Sequence, residues 1–136
     1  MNEPERLPVN LRAGLLGLCC FTALGLFLEA LHALKVGLYL DVGNETRRLL
    51  WRLAHAHGAL LGLVNVGYAL AAHAWPKLED PLAGRALLSA LVLMPLGFFL
   101  GGLFARGGDP GVAVGLAVGG AVALLFGLTR LALKAR

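Results

Sequence analysis

Four long apolar blocks run along the chain, separated by short polar stretches. The first opens with AGLLGLCCFTALGLFL and turns more polar in EALHALKVGLYL. Its pattern predicts one helix over about residues 10–40, with Asn10 able to cap the start. After the loop DVGNET, a second helix is expected over about 47–75, with Trp51 and Trp75 near its ends as interfacial aromatics. The loop PKLEDPLAG leads to a third helix over about 84–104, where Pro95 at the midpoint predicts a kink. The turn ARGGDPG precedes a fourth over about 112–134. Each block can cross a hydrocarbon core of about 30 Å, which takes roughly 20 residues. Short loops make consecutive helices antiparallel. The expected fold is therefore all-α, an integral membrane up-down four-helix bundle forming a single transmembrane domain over 1–136, with both termini on one side.

Helical periodicity gives the second helix two unlike faces. Ala56, Leu60, Leu63, Gly67, Leu70 and Ala74 form an apolar face expected to meet lipid. Ala54, Gly58, Asn65 and Ala72 form a face of small residues plus one amide, expected to look inward. In the fourth block Gly111, Gly115 and Gly119 make a small-xxx-small ridge expected to pack against another helix.

Composition removes the soluble alternatives. Of 136 residues 58% are hydrophobic and 15% charged, with mean hydropathy +0.76, which leaves no room for a separate soluble domain. The net charge of +4 does not indicate nucleic acid, because the basic residues sit at block ends, where they meet lipid headgroups, and form no basic run or helix face. The expected partners are the lipid bilayer and a homo-oligomer or a larger membrane complex. The N-terminal MNEPERLPVNLR lacks the cationic start of a secretory signal, so the first block is read as a retained helix. Arg6, Arg12, Lys77, Arg85, Arg130, Lys134 and Arg136 fall on the terminal side, and Lys35, Arg47, Arg48, Arg52 and Arg106 on the other. Seven against five predicts cytoplasmic termini in a bacterial inner membrane. Cys19 and Cys20, adjacent in the first block, are expected to be small buried thiols.

The candidate chemistry lies in the polar residues of the first two blocks. Ionisable groups inside a membrane helix are costly and usually functional. Glu29 and His32 are three apart and share a face of the first helix; His55 and His57 lie on the second. Counted from the loop near Asn44, the four fall at similar depth, with Lys35 and Arg52 about one turn nearer the surface. His55 and His57 are about 200° apart around their helix, so each is expected to meet a different neighbour, one of them near Met94. Asn65 and Tyr68 are expected to support the site by hydrogen bonds. The set suits a transition metal ion held by Glu29, His32, His55 and His57. It also suits a haem b with histidine ligands, Arg52 and Lys35 near its propionates, and room at Gly58 and Gly62. A di-iron centre needs more carboxylates than Glu29 alone. Proton or solute translocation, or polar adhesion between helices through Glu29 paired with Lys35 or Arg52, uses the same residues. His73, beside Trp75, is expected to be an interfacial residue. No nucleophile–base pair or phosphate loop is evident, and whether the protein is an enzyme stays open.

The string HAHGALLGLV resembles the His-x-His helix of haem-copper oxidase catalytic subunits and related haem-containing membrane proteins, through His55, His57 and Gly62. That resemblance implies histidines serving metal groups on opposite sides of one helix, hence a haem or metal cofactor and redox or electron-transfer work.

Overall fold

A computed structural model describes residues 7–136; Arg6, counted above, lies outside the described residues. The described residues form four α-helices: α1 (Val9–Ala33), α2 (Glu45–Ala74), α3 (Pro81–Leu103) and α4 (Gly115–Lys134). Short 3₁₀ turns at Val42–Asn44, Pro76–Leu78 and Val112–Val114 precede α2, α3 and α4. All four helical segments are long and apolar enough to cross a membrane, as a multi-pass integral membrane protein requires. The fold is all-α, a four-helix bundle. Among the described residues the only β-like pairing is a bridge between Arg106 and Asp109, closed by Gly107 and Gly108 at φ 57° and 88°.

The helices pack in chain order. The α2–α3 pair is central, α1 lies along α2, and α4 lies along α3, while α1 touches α3 only lightly. The bundle is thus opened out, and apolar grooves remain between α1 and α3 and between α2 and α4. The start of α1 and the end of α4 lie beside the α2–α3 connection: Asn10 bonds the Gly84 carbonyl and Lys134 bonds the Glu79 carbonyl.

Small residues set the closeness of packing. The Phe21 ring covers Gly58, Leu18 meets Gly62, and the Ala117 backbone lies on Gly97, where a Cβ would collide. Lipid tails are as apolar as leucine, so such close approach supplies much of the adhesion. The faces expected for α2 are observed: Ala56, Leu60, Leu63, Gly67, Leu70 and Ala74 are exposed, Ala54, Gly58 and Asn65 are buried, and Ala72 is half-buried. The ridge expected on α4 is not the packed face. Gly115 and Gly119 meet open space, and the inward stripe is Ala117, Gly120 and Gly127, which follows the small residues and Met94 of α3. Cys19 and Cys20 are exposed rather than buried, because Gly14, Leu18, Phe21, Gly25 and Leu28 take the inner face of α1.

The first helix ends at Ala33, not near 40. The Lys35 N–H donates to His32 O and the Val36 N–H to Leu31 O, each at 3.0 Å, with Lys35 at φ 52°. This is a Schellman closure with lysine in the left-handed position that glycine usually takes. It turns the chain so that Tyr39 folds inward and stacks on Trp51 at 6.3 Å, and Trp51 stacks on Phe99 at 5.6 Å. Trp51 is therefore no lipid-facing belt residue: it is 5% exposed and donates from Nε1 to Phe99 O at 3.1 Å, tying α2 to α3. Trp75 is exposed as expected. Asn10 does not cap α1, which starts after Pro8; its amide reaches α2 and α3 instead. Pro95 lies buried within α3 without ending it.

Two substitutions test these features by thermal unfolding in detergent. Lys35→Gly is expected to stabilise by about 1 kcal/mol, by relieving the left-handed lysine. Gly97→Leu is expected to cost at least about 1–3 kcal/mol by overpacking, while Gly115→Leu on the open face is near neutral.

Candidate functional site

The α1–α2 register decides which polar residues meet. The His55 ring lies against Gly25, Phe21 against Gly58 and Leu18 against Gly62. Continuing that antiparallel register brings Glu29 and His32 level with Arg52 and Arg48, near the loop. The depth match expected for Glu29, His32 and His57 fails because residues 34–44 are not a helical extension, which displaces the register by about two turns.

A cavity of about 690 Å³ opens between α1 and α2. Leu26, Leu49 and Leu53 supply apolar walls, and Glu29, Arg52 and His55 supply polar ones. A second cavity of about 320 Å³ adjoins it towards the loop, lined by Glu29, His32, Tyr39, Arg48 and Arg52. His32 stands edge-on to Tyr39, ring centroids 6.3 Å apart. Arg48 is 3.5 Å from Glu45, an exposed pair of small energetic weight. Among the described residues Glu29 forms no ion pair with Lys35 or Arg52, so the expected cross-hairpin pair is not made. Lys35 lies in the turn and lines neither cavity.

The histidines of α2 diverge, as their spacing predicts. His55 Nδ1 is 2.6 Å from Phe21 O on α1, and His57 Nδ1 is 2.9 Å from Leu53 O one turn earlier on α2. A carbonyl only accepts, so in each ring Nδ1 carries a proton, and the neutral ring then offers Nε2 as an acceptor. The His57 ring packs on Phe98 of α3 at 4.9 Å, one turn from Met94, which is buried against Gly120. Among the described residues no three His, Cys, Asp or Glu side chains are grouped to hold a metal ion. Glu29, His32, His55 and His57 thus do not form one metal site: the 200° divergence carries His57 to α3.

Asn65 and Tyr68 do not support that cleft. Asn65, 0% exposed, donates to Leu61 O and Leu87 O at 2.9 and 3.1 Å and accepts from Asn10 at 2.7 Å. Tyr68 donates to Asp80 O at 2.8 Å and accepts from the Asp80 N–H at 3.1 Å. Asp80 is the centre of a clasp that the sequence reading missed. It is 2% exposed, accepts from the Leu82 and Ala83 N–H groups at the start of α3, and pairs with Arg130 at 2.9 Å and Lys134 at 3.6 Å. The Asp-Pro step before an apolar block signals the cap. Nothing local signals Arg130, which only the helix register brings near.

Fold and site together define a four-helix protein fit to span a membrane, with a polar-ended cleft on its α1–α2 face and a closed ionic clasp at its other end. Comparison with protein-family models, with curated proteins and with solved structures finds no match to this chain.

The clasp gives a pH test. The Ala83 N–H and the Arg130 guanidinium hold the Asp80 carboxyl at about 2, below its usual 3.8. A lowered value means that the charge stabilises the fold above about 3.8 and that this contribution is lost as pH falls towards 2. Asp80→Asn keeps the cap but removes the charge. It is expected to unfold at lower temperature than the parent at pH 7, with the gap closing between pH 4 and pH 2, as followed by circular dichroism.

Proposed function

We propose that this is a multi-pass protein of a bacterial inner membrane, with both termini cytoplasmic, that binds an amphipathic small molecule in the α1–α2 cleft. The observation that carries the proposal is the cavity of about 690 Å³ with apolar walls at Leu26, Leu49 and Leu53 and polar walls at Glu29, Arg52 and His55. Its volume falls in the range of small-molecule sites, and a few polar groups beside an apolar wall orient a ligand with unlike ends. The excess of Lys and Arg on the terminal side supports the orientation.

A second reading is favoured by His55. Donation from Nδ1 to Phe21 O fixes the tautomer and leaves Nε2 free, the arrangement that orients ligating histidines. In that reading the amphiphile is a haem b, which His55 would hold and whose propionates Arg48 and Arg52 would meet. The resemblance of HAHGALLGLV to the oxidase helix supports it.

Ala56 is exposed and lines the cavity. A larger side chain there leans towards the N-terminal turn and Arg52, so Ala56→Trp fills the cleft without entering the core. Detergent-purified protein is expected to be colourless and to bind a fluorescent fatty-acyl probe saturably, about tenfold more weakly in Ala56→Trp. A Soret band lost in His55→Ala and kept in His57→Ala would establish the haem reading instead. No Soret band, and probe binding unchanged by Ala56→Trp, would overturn both.

A further inference from the structure

The polar end of the cleft carries two opposite charges that do not use each other. Arg48 and Arg52, one turn apart on one face of α2, both line the smaller cavity. Arg52 makes no ion pair among the described residues, although its guanidinium offers five donors in a planar fork. Glu29, whose carboxylate only accepts, lines the same two cavities. A ligand that bridges them must offer acceptors to Arg52 and a donor to Glu29.

Depth restricts the ligand further. Arg52 lies about 10 Å along α2 from Glu45, and Glu29 lies about 6 Å from the end of α1. Arg52 is thus about two turns and Glu29 about one turn from the ends of their helices on the loop side, a depth at which a lipid headgroup can reach both. From there the cavity runs inward past Leu26 and Leu53 to Ala56 and Thr22, in the direction of a lipid tail.

We infer that the ligand is a phospholipid whose headgroup carries a hydrogen-bond donor beside its phosphate, with the phosphate on Arg52, the donor on Glu29 and an acyl chain along the cleft. This deepens the amphiphile proposal above and rests on it. An ethanolamine ammonium or a glycerol hydroxyl supplies the donor. Choline has no N–H or O–H, and a fatty acid or haem propionate offers the pair only acceptors.

The test is native mass spectrometry of the delipidated full chain, with phosphatidylethanolamine, phosphatidylglycerol or phosphatidylcholine added singly at equal concentration. The first two are expected to be retained about tenfold more than the third, as one charge-assisted hydrogen bond allows. Glu29→Ala should erase that preference, and Arg52→Gln should weaken all three lipids. Glycerophosphoethanolamine, which lacks tails, should not compete. Equal retention of all three lipids by the parent protein, still weakened by Ala56→Trp, would overturn the headgroup assignment and leave the cleft standing. Competition by the tail-less head equal to that of the lipid would overturn the lipid assignment. Retention untouched by Ala56→Trp would overturn the cleft proposal itself.

Discussion

Four helices surrounded by hydrocarbon cannot be held together by the burial of leucine alone, since each leucine leaves one apolar medium for another. What holds them is close approach where a side chain is missing, joined to hydrogen bonds that have no competing water. Gly58 under Phe21 and Gly97 under the Ala117 backbone are the first kind. Asn65, bonded to Asn10, Leu61 and Leu87, is the second, and it joins three helices through one buried amide. Removing either partner of such an amide would leave its polar atoms unpaired where no solvent reaches, which makes the arrangement more specific than its net energy suggests. Everything else in the architecture is fitted to these contacts, including which face of α4 turns inward.

The same constraint fixes the site by fixing register. Once Phe21 lies on Gly58 and the His55 ring on Gly25, the partners of Glu29 and His32 follow from geometry. The turn at Lys35 then costs about 1–3 kcal/mol for a left-handed non-glycine residue. The Tyr39–Trp51–Phe99 stack offsets it by joining the returning segment to α2 and α3. One consequence is that Tyr39 enters the smaller cavity beside His32 and Arg48. A straight continuation of α1 would have carried Tyr39 away from both arginines.

Much of this was legible in the sequence where the signal is local and periodic. The four helices, the two faces of α2 and the divergence of His55 and His57 all follow from 3.6-residue periodicity. The end of α1 was not legible, because EALHALKVGLYL keeps its apolar periodicity through Lys35, and its glycine, Gly37, comes two residues after the left-handed position. That single misplaced boundary shifted the expected depth of Glu29 and His32 and set them level with His55 and His57, whereas the register puts them level with Arg52 and Arg48. The clasp of Asp80 with Arg130 was hidden for another reason. Its partners are fifty residues apart, and only the packed register brings them to 2.9 Å. The inward stripe of α4 was misread because two glycine patterns overlap there, and only the shape of α3 chooses between them.

The two polar ends of the molecule differ in how completely their groups pair within the chain. At the terminal end Asp80 accepts two backbone N–H groups and meets two cations, Tyr68 both donates and accepts, and Asn65 uses its amide fully. Groups so saturated have little left to offer a ligand, and their net effect is to lock α3 and α4 to the loop. At the other end Arg52 and Glu29 line a shared space without pairing. In the lipid proposal a headgroup phosphate and its neighbouring donor complete the hydrogen bonds that Arg52 and Glu29 leave open beside the apolar groove.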